Sequence, residues 1–178
     1  MAGPGGEAKR TGRLLARRPG PADLDGYAAV LLDPQVESRL RAESDPPFDE
    51  TTVRRWLAAD EAHWEEHSFG PWALIEAETG AMVGRGGLRW TEVEERAVVE
   101  LPWAIASAHW NRGLATEAAA AALGWAGSLA LDRVVALVVP GNVASRRVAE
   151  KIGMRVEGRA MHAGLRHLVY GATPTGPA

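Results

Sequence analysis

Glu100-Leu-Pro-Trp-Ala-Ile-Ala-Ser-Ala-His-Trp-Asn-Arg-Gly-Leu-Ala-Thr-Glu117 is the stretch whose reading decides the fold. A strand runs into a turn, and the turn opens directly onto a helix. Free backbone N–H groups and the positive end of the helix dipole point out of such a turn. Gly113 admits a ligand close to the backbone, Ala115 keeps the approach clear, and Arg112 adds a full positive charge. These features suit a phosphate or pyrophosphate. The competing reading is a loop in which Gly113 only eases a tight bend. No Gly-Lys-Ser/Thr follows, so the turn is not a P-loop, and a single glycine does not make the dinucleotide fingerprint. Pro102 cannot donate to a ladder, so a strand containing it must bulge or part from its neighbour.

Working outward, the spacing of Leu114, Ala118, Ala121, Trp125 and Leu129 predicts a helix over 113–130. Residues 134–139 are a continuous apolar run, the pattern of a strand buried on both faces. The crossover helix makes that strand parallel to the one at Glu100. If the two splay beyond Pro102, a slot opens beside the helix N-terminus. A pyrophosphate on a long, amide-bearing arm would fit there. Downstream, Asn142 caps a helix that Gly153 ends after Lys151, and strands follow at 154–161 and 166–171.

Upstream, a strand is expected at 13–18. Pro21, with Asp23 and Asp25 in the first turn, opens a helix to about Leu32. A short helix at 36–41 precedes the break Asp45-Pro46-Pro47, and Asp49 caps a helix through Glu66. Strands at 72–78, 82–90 and 97–106 follow, the first two joined by a Thr79-Gly80 turn. Gly84-Arg-Gly-Gly87 sits inside a strand and reads as a bulge. The sum is a mixed α/β sheet domain over 11–172, with 1–10 and 173–178 expected to be disordered tails.

Composition narrows the function. The 178 residues suit one domain, and a net charge of −3 gives no case for a nucleic-acid partner. The absence of cysteine excludes a disulfide scaffold, a thiolate metal site and a cysteine nucleophile. His63 and His67 share a helix face but lack a third ligand nearby, so no metal site is expected. The longest apolar run, 118–131, falls short of the roughly 18 residues that span a bilayer. The start of the chain has no secretory-signal pattern, and the expected setting is cytoplasmic, with no membrane partner.

Trp110-Asn-Arg-Gly-Leu-Ala-Thr-Glu-Ala118 resembles the acetyl-CoA signature of the GNAT N-acetyltransferases, in the form common to the RimJ/RimL-type branch. Three further stretches match in order: Thr11 to Pro19 with Asp23, Asn142 to Met154, and Val169-Tyr170. The resemblance implies a GNAT-like, mostly antiparallel sheet of six to seven strands, with a central V-shaped splay and helices on both faces. It implies that the backbone of Asn111, Arg112, Gly113, Leu114 and Ala115, with the Arg112 and Thr116 side chains, holds the pyrophosphate of acetyl-CoA. Trp110 opens that signature, where the superfamily usually has Gln or Arg. Trp103, Ala104 and Ile105 would pair with the pantetheine arm like an added strand. Pro102 stands where Gly or another small residue is expected. Asn142 would hydrogen-bond the arm, and Ser145 would sit near the thioester sulfur and protonate the departing thiolate.

Glu100 lies two residues before the bulge. It is read as the carboxylate that accepts the proton of an ammonium group, as an exposed carboxylate on a sheet face, or as the partner of a nearby Arg. His109 is the next candidate base, and Trp64 with Glu65 is the expected acceptor side. Ser145 and Asn142 also read simply as helix-capping residues. The function expected is acetyl transfer from acetyl-CoA to a primary amine, on a small molecule or a protein N-terminus, by direct attack in a ternary complex. The alternative is a non-catalytic acyl-CoA-binding sensor. A homodimer through the last strand is compatible with this fold class.

Overall fold

The computed structural model describes residues 8–175, which hold ten strands and five α-helices. In chain order these are β1 (Ala8–Arg10), β2 (Leu14–Arg17), α1 (Leu24–Leu31), α2 (Pro34–Glu37), α3 (Glu50–His67), β3 (Pro71–Glu76), β4 (Met82–Gly87) and β5 (Arg89–Val93). Then come β6 (Arg96–Glu100), β7 (Trp103–Ile105), α4 (Leu114–Ser128), β8 (Val134–Val138), α5 (Val143–Lys151), β9 (Arg155–His162) and β10 (Leu165–Ala172). Residues 8–10, expected in the disordered tail, instead pair with β2 from Ala8↔Arg17 to Arg10↔Leu15. Residues 1–7 and 176–178 of the two expected tails lie outside the described residues.

Local chemistry accounts for the helix starts. Asp49 accepts from the Thr52 N–H and starts α3, as Asn142 does from the Ser145 N–H for α5. Gly153 follows α5 at φ +85°, the left-handed position that stops it. The expected helix at 36–41 is shorter and earlier, because Asp33 caps it and Pro34 fills its first position.

Strands pair as β1-β2-β3-β4-β7 and as β5-β6-β8-β10-β9, so two five-stranded sheets share one V-shaped junction. All pairs are antiparallel except β6 with β8. The expected strands 82–90 and 97–106 each divide between the two sheets. The chain leaves β4 at Gly87, and it leaves β6 at Leu101 and Pro102. Leu101 still donates to the Val135 carbonyl at 2.8 Å, the Pro102 carbonyl already accepts from Gly87 of β4, and β7 completes the move onto β4. Gly84 makes that move possible, since a Cβ there would stand 2.5 Å from the Ala104 carbonyl oxygen. The last strand, β10, is paired on both sides by β8 and β9. A dimer built by adding a strand to β10 therefore has no free ladder to use.

Met82 packs with α1 and α3, while Val83 packs with α4, so helices cover both faces of the first sheet. An aromatic stack anchors the larger core: Trp72 lies 4.7 Å from Trp125 ring to ring, and Trp64 lies 5.5 Å from Trp125. Beneath α1, a polar knot is sealed in. Arg85 donates to both Asp60 oxygens at 2.8 and 2.6 Å, and the Tyr27 hydroxyl donates to Asp60 at 2.7 Å. Burial and the Asp60 charge push the Tyr27 phenol well above its ordinary value.

Candidate active site

The splay of β7 from β8 opens a cavity of about 490 Å³, walled by the two strands, the start of α4 and one face of α5. Hydrogen bonding alternates along β7. Pro102 and Ala106 face β4, so Trp103 and Ile105 turn their backbone groups into the slot. The Ile105 carbonyl accepts from Trp110 Nε1 at 2.6 Å. Among the described residues no backbone hydrogen bond uses the Trp103 N–H or C=O.

Below the slot, Asn111 at φ +59° and Gly113 at φ +75° give the turn its left-handed corners, and the first N–H groups of α4 are free of helical partners. Leu114, Ala115 and Thr116 line the cavity with Asn111 and Gly113. The Arg112 side chain departs from expectation. It donates to Glu76 at 2.5 Å and to His109 Nδ1 at 2.8 Å, on the side of β3. Thr79 and Arg112 together hold the Glu76 carboxyl below the usual carboxylate range. The charge expected of Arg112 is thus committed within the chain, and the donors facing the cavity are backbone N–H groups.

Asn142 and Ser145 stand on the opposite wall. Asn142 Oδ1 accepts from Ser145 N–H and from Arg39, each at 3.1 Å, which leaves its amide hydrogens for a carbonyl of a bound arm. The Arg39 guanidinium lies 4.3 Å over the Trp110 ring. Asp33 fixes this corner by accepting from the Ser107 N–H at 2.7 Å. Burial raises the Asp33 pKa, but its bonds to Ser107 and to the start of α2 win, and the carboxyl is held low.

Glu100, with Trp103, Ala104 and Ile105, lines the cavity. It is buried rather than exposed on a sheet face, and it has the Arg partner: Arg89 Nε and an Arg89 amino nitrogen both reach Glu100 Oε2, at 2.8 and 2.7 Å. Both contacts commit Oε2 within the chain. Trp64 is in the core and Glu65 pairs with Arg18, so the expected acceptor side is elsewhere. Trp56, Arg89, His162 and His167 also line the cavity. The signal for His167 was its alternation with Val169 on the last strand, which aims both at the same face as Glu100 and Leu137. No group of three potential metal ligands gathers among the described residues, and no described helix is long and apolar enough to cross a membrane.

The model of the acetyltransferase (GNAT) domain matches residues 13–155. Among curated proteins, the uncharacterized protein YkkB of Bacillus subtilis is 34% identical over 107 residues, which is 60% of this chain and 62% of that protein. Among solved structures, one from Bordetella pertussis assigned to the GnaT-family acetyltransferases superposes with a TM-score of 0.80 at 27% identity, covering 94% of this chain and all of that one. An acetyltransferase from Agrobacterium tumefaciens superposes with a TM-score of 0.78 at 29% identity, covering 93% of each chain.

Proposed function

The chain belongs to the GNAT acetyltransferase family, and on that premise we propose that it moves an acetyl group from acetyl-CoA to a primary amine by direct attack in a ternary complex. The observation that carries this reading is the slot beyond Pro102, where Trp103 offers an unpaired N–H and C=O beside the helix N-terminus at Gly113. The donor set fits acetyl-CoA. Backbone N–H groups and a helix dipole suit a pyrophosphate, and an open strand edge suits an amide-bearing arm.

In this reading the Trp103 N–H, held rigid by the β4–β7 ladder, stabilises negative charge that develops on the acetyl oxygen. Asn142 orients the arm, and Ser145 supplies a proton toward the departing sulfur. The Trp110-Asn-Arg-Gly113 form of the signature supports placement in the RimJ/RimL-type branch, with the acceptor a protein N-terminus or a small-molecule amine in the cytoplasm.

The test is acetyl-CoA consumption, followed by release of free thiol, across a panel of amines and peptides bearing free N-termini. Turnover with at least one amine supports the reading. Acetyl-CoA binding by calorimetry without turnover on the whole panel replaces it with the sensor reading.

A further inference from the structure

We infer that His167 Nε2 is the proton acceptor for the incoming amine, with Glu100 acting on it as a positioning charge. The inference rests on the acetyl-transfer reading above and assigns a step within it. His167 sits on β10 in the wall of the cavity and is nearly buried. Its Nδ1 lies 3.0 Å from the Leu165 carbonyl oxygen. A carbonyl can only accept, so the proton is on Nδ1 and the lone pair is on Nε2. That lone pair has no partner among the described residues. The one fully sealed side-chain polar atom without a partner among the described residues is Trp72 Nε1, so Nε2 is not sealed, and its ring stands in the cavity wall.

Three of the other candidates, Glu100, His109 and His63, each have at least one atom committed within the chain. Glu100 Oε2 is held by Arg89, and Arg112 binds His109 Nδ1. His63 uses both ring nitrogens within the chain, facing the Phe69 carbonyl and accepting from the Trp90 N–H, each at 2.8 Å.

The groups facing His167 are Glu100 from β6 with its Arg89 partner, and His162 from β9, whose ring centre is 6.0 Å away. Burial lowers the His167 pKa from its ordinary 6.5 and prevails over the bond to the Leu165 carbonyl, which raises it; His162 adds to the lowering and Glu100 opposes it. The imidazole is thus neutral at pH 7 and ready to take a proton.

The proton balance is complete. R–NH3⁺ gives one proton to Nε2, and the freed lone pair attacks the acetyl carbonyl carbon. The N–C bond forms and the C–S bond breaks. The second nitrogen proton balances the one taken up by the departing thiolate, through Ser145 or water. The imidazolium, facing Glu100, returns its proton to solvent.

The experiment has two arms on the full chain. Nitrogen-15 NMR of the wild-type imidazoles should show His167 protonated at Nδ1 and bare at Nε2 at pH 7. A proton on Nε2 there overturns the inference without reference to activity. In the kinetic arm, His167→Asn keeps an N–H for the Leu165 carbonyl and removes the base. The variant should lose roughly 10²–10⁴-fold in kcat/KM while acetyl-CoA affinity by calorimetry is unchanged. Added imidazole should restore part of the rate in His167→Ala. Wild-type kcat/KM in a folded His167→Asn overturns the inference and leaves acetyl transfer standing. If the wild type turns over no amine, both fall together. Should His167→Asn fail to fold, the NMR arm and His167→Ala decide.

Discussion

Replacing Asp60 by Leu tests what holds the polar knot beneath α1 together. Arg85 is 3% exposed, Asp60 4% and Tyr27 0%, and their three hydrogen bonds converge on one carboxylate. Leu removes the charge and strands a buried guanidinium and a buried hydroxyl. Breaking one side of a buried pair costs about 3–5 kcal/mol, a large part of the roughly 5–15 kcal/mol that holds a domain folded. At about 2–4 °C per kcal/mol for a chain of this size, the midpoint of thermal unfolding should fall by roughly 6–20 °C. The compensating variant Asp60→Leu/Arg85→Met/Tyr27→Phe removes every stranded polar group. It should recover most of the loss, because a packed apolar cluster needs no counter-charge. Urea melts and calorimetric scans measure both. A loss under about 1 kcal/mol for Asp60→Leu, the scale of an exposed pair, would refute the claim that this knot is sealed from water.

Gly113→Glu places a side chain and a negative charge at a φ of +75° beside the free N–H groups of α4, so acetyl-CoA affinity should fall at least about tenfold; unchanged calorimetry on folded protein would remove the phosphate from this turn. Glu100→Gln withdraws the charge that favours the His167 imidazolium, so the acidic limb of kcat/KM should move to lower pH. An unmoved limb would separate Glu100 from the base. His63 is held neutral by burial, with a folded pKa below 6.5, so the unfolded chain takes up the proton first. The stability that His63 and His167 contribute is therefore present above pH 6.5 and lost as pH falls through their lower folded values. Urea midpoints measured from pH 8 to pH 5 should drop accordingly, and His63→Asn should flatten part of that slope.

Short-range chemistry made much of this protein readable in one dimension. Asp49 and Asn142 cap the helices that follow them, Gly153 stops α5, and Pro102 breaks the ladder that runs through it. Each effect is decided within a few residues, by a side-chain acceptor, a left-handed corner or a missing N–H. The turn from Asn111 to Ala115 belongs to the same class, set by the left-handed corners at Asn111 and Gly113. The partners of the charged groups were not. Arg112 could face a ligand or Glu76, and Glu100 could be a free base or the partner of Arg89. Nothing local separates such options, because the choice depends on which strand the sheet brings alongside. Arg112 finds Glu76 across 36 positions of chain, and Glu100 finds Arg89 because the β5–β6 hairpin sets Arg89 opposite it. The same holds for His167. Sequence lists it among five histidines, and only the pairing of β10 beside β8, with Nδ1 turned back to the Leu165 carbonyl, sets it apart. Backbone preferences act over a turn of chain and can be read along it, whereas the strength of a charge as acid, base or ligand depends on its neighbours in space.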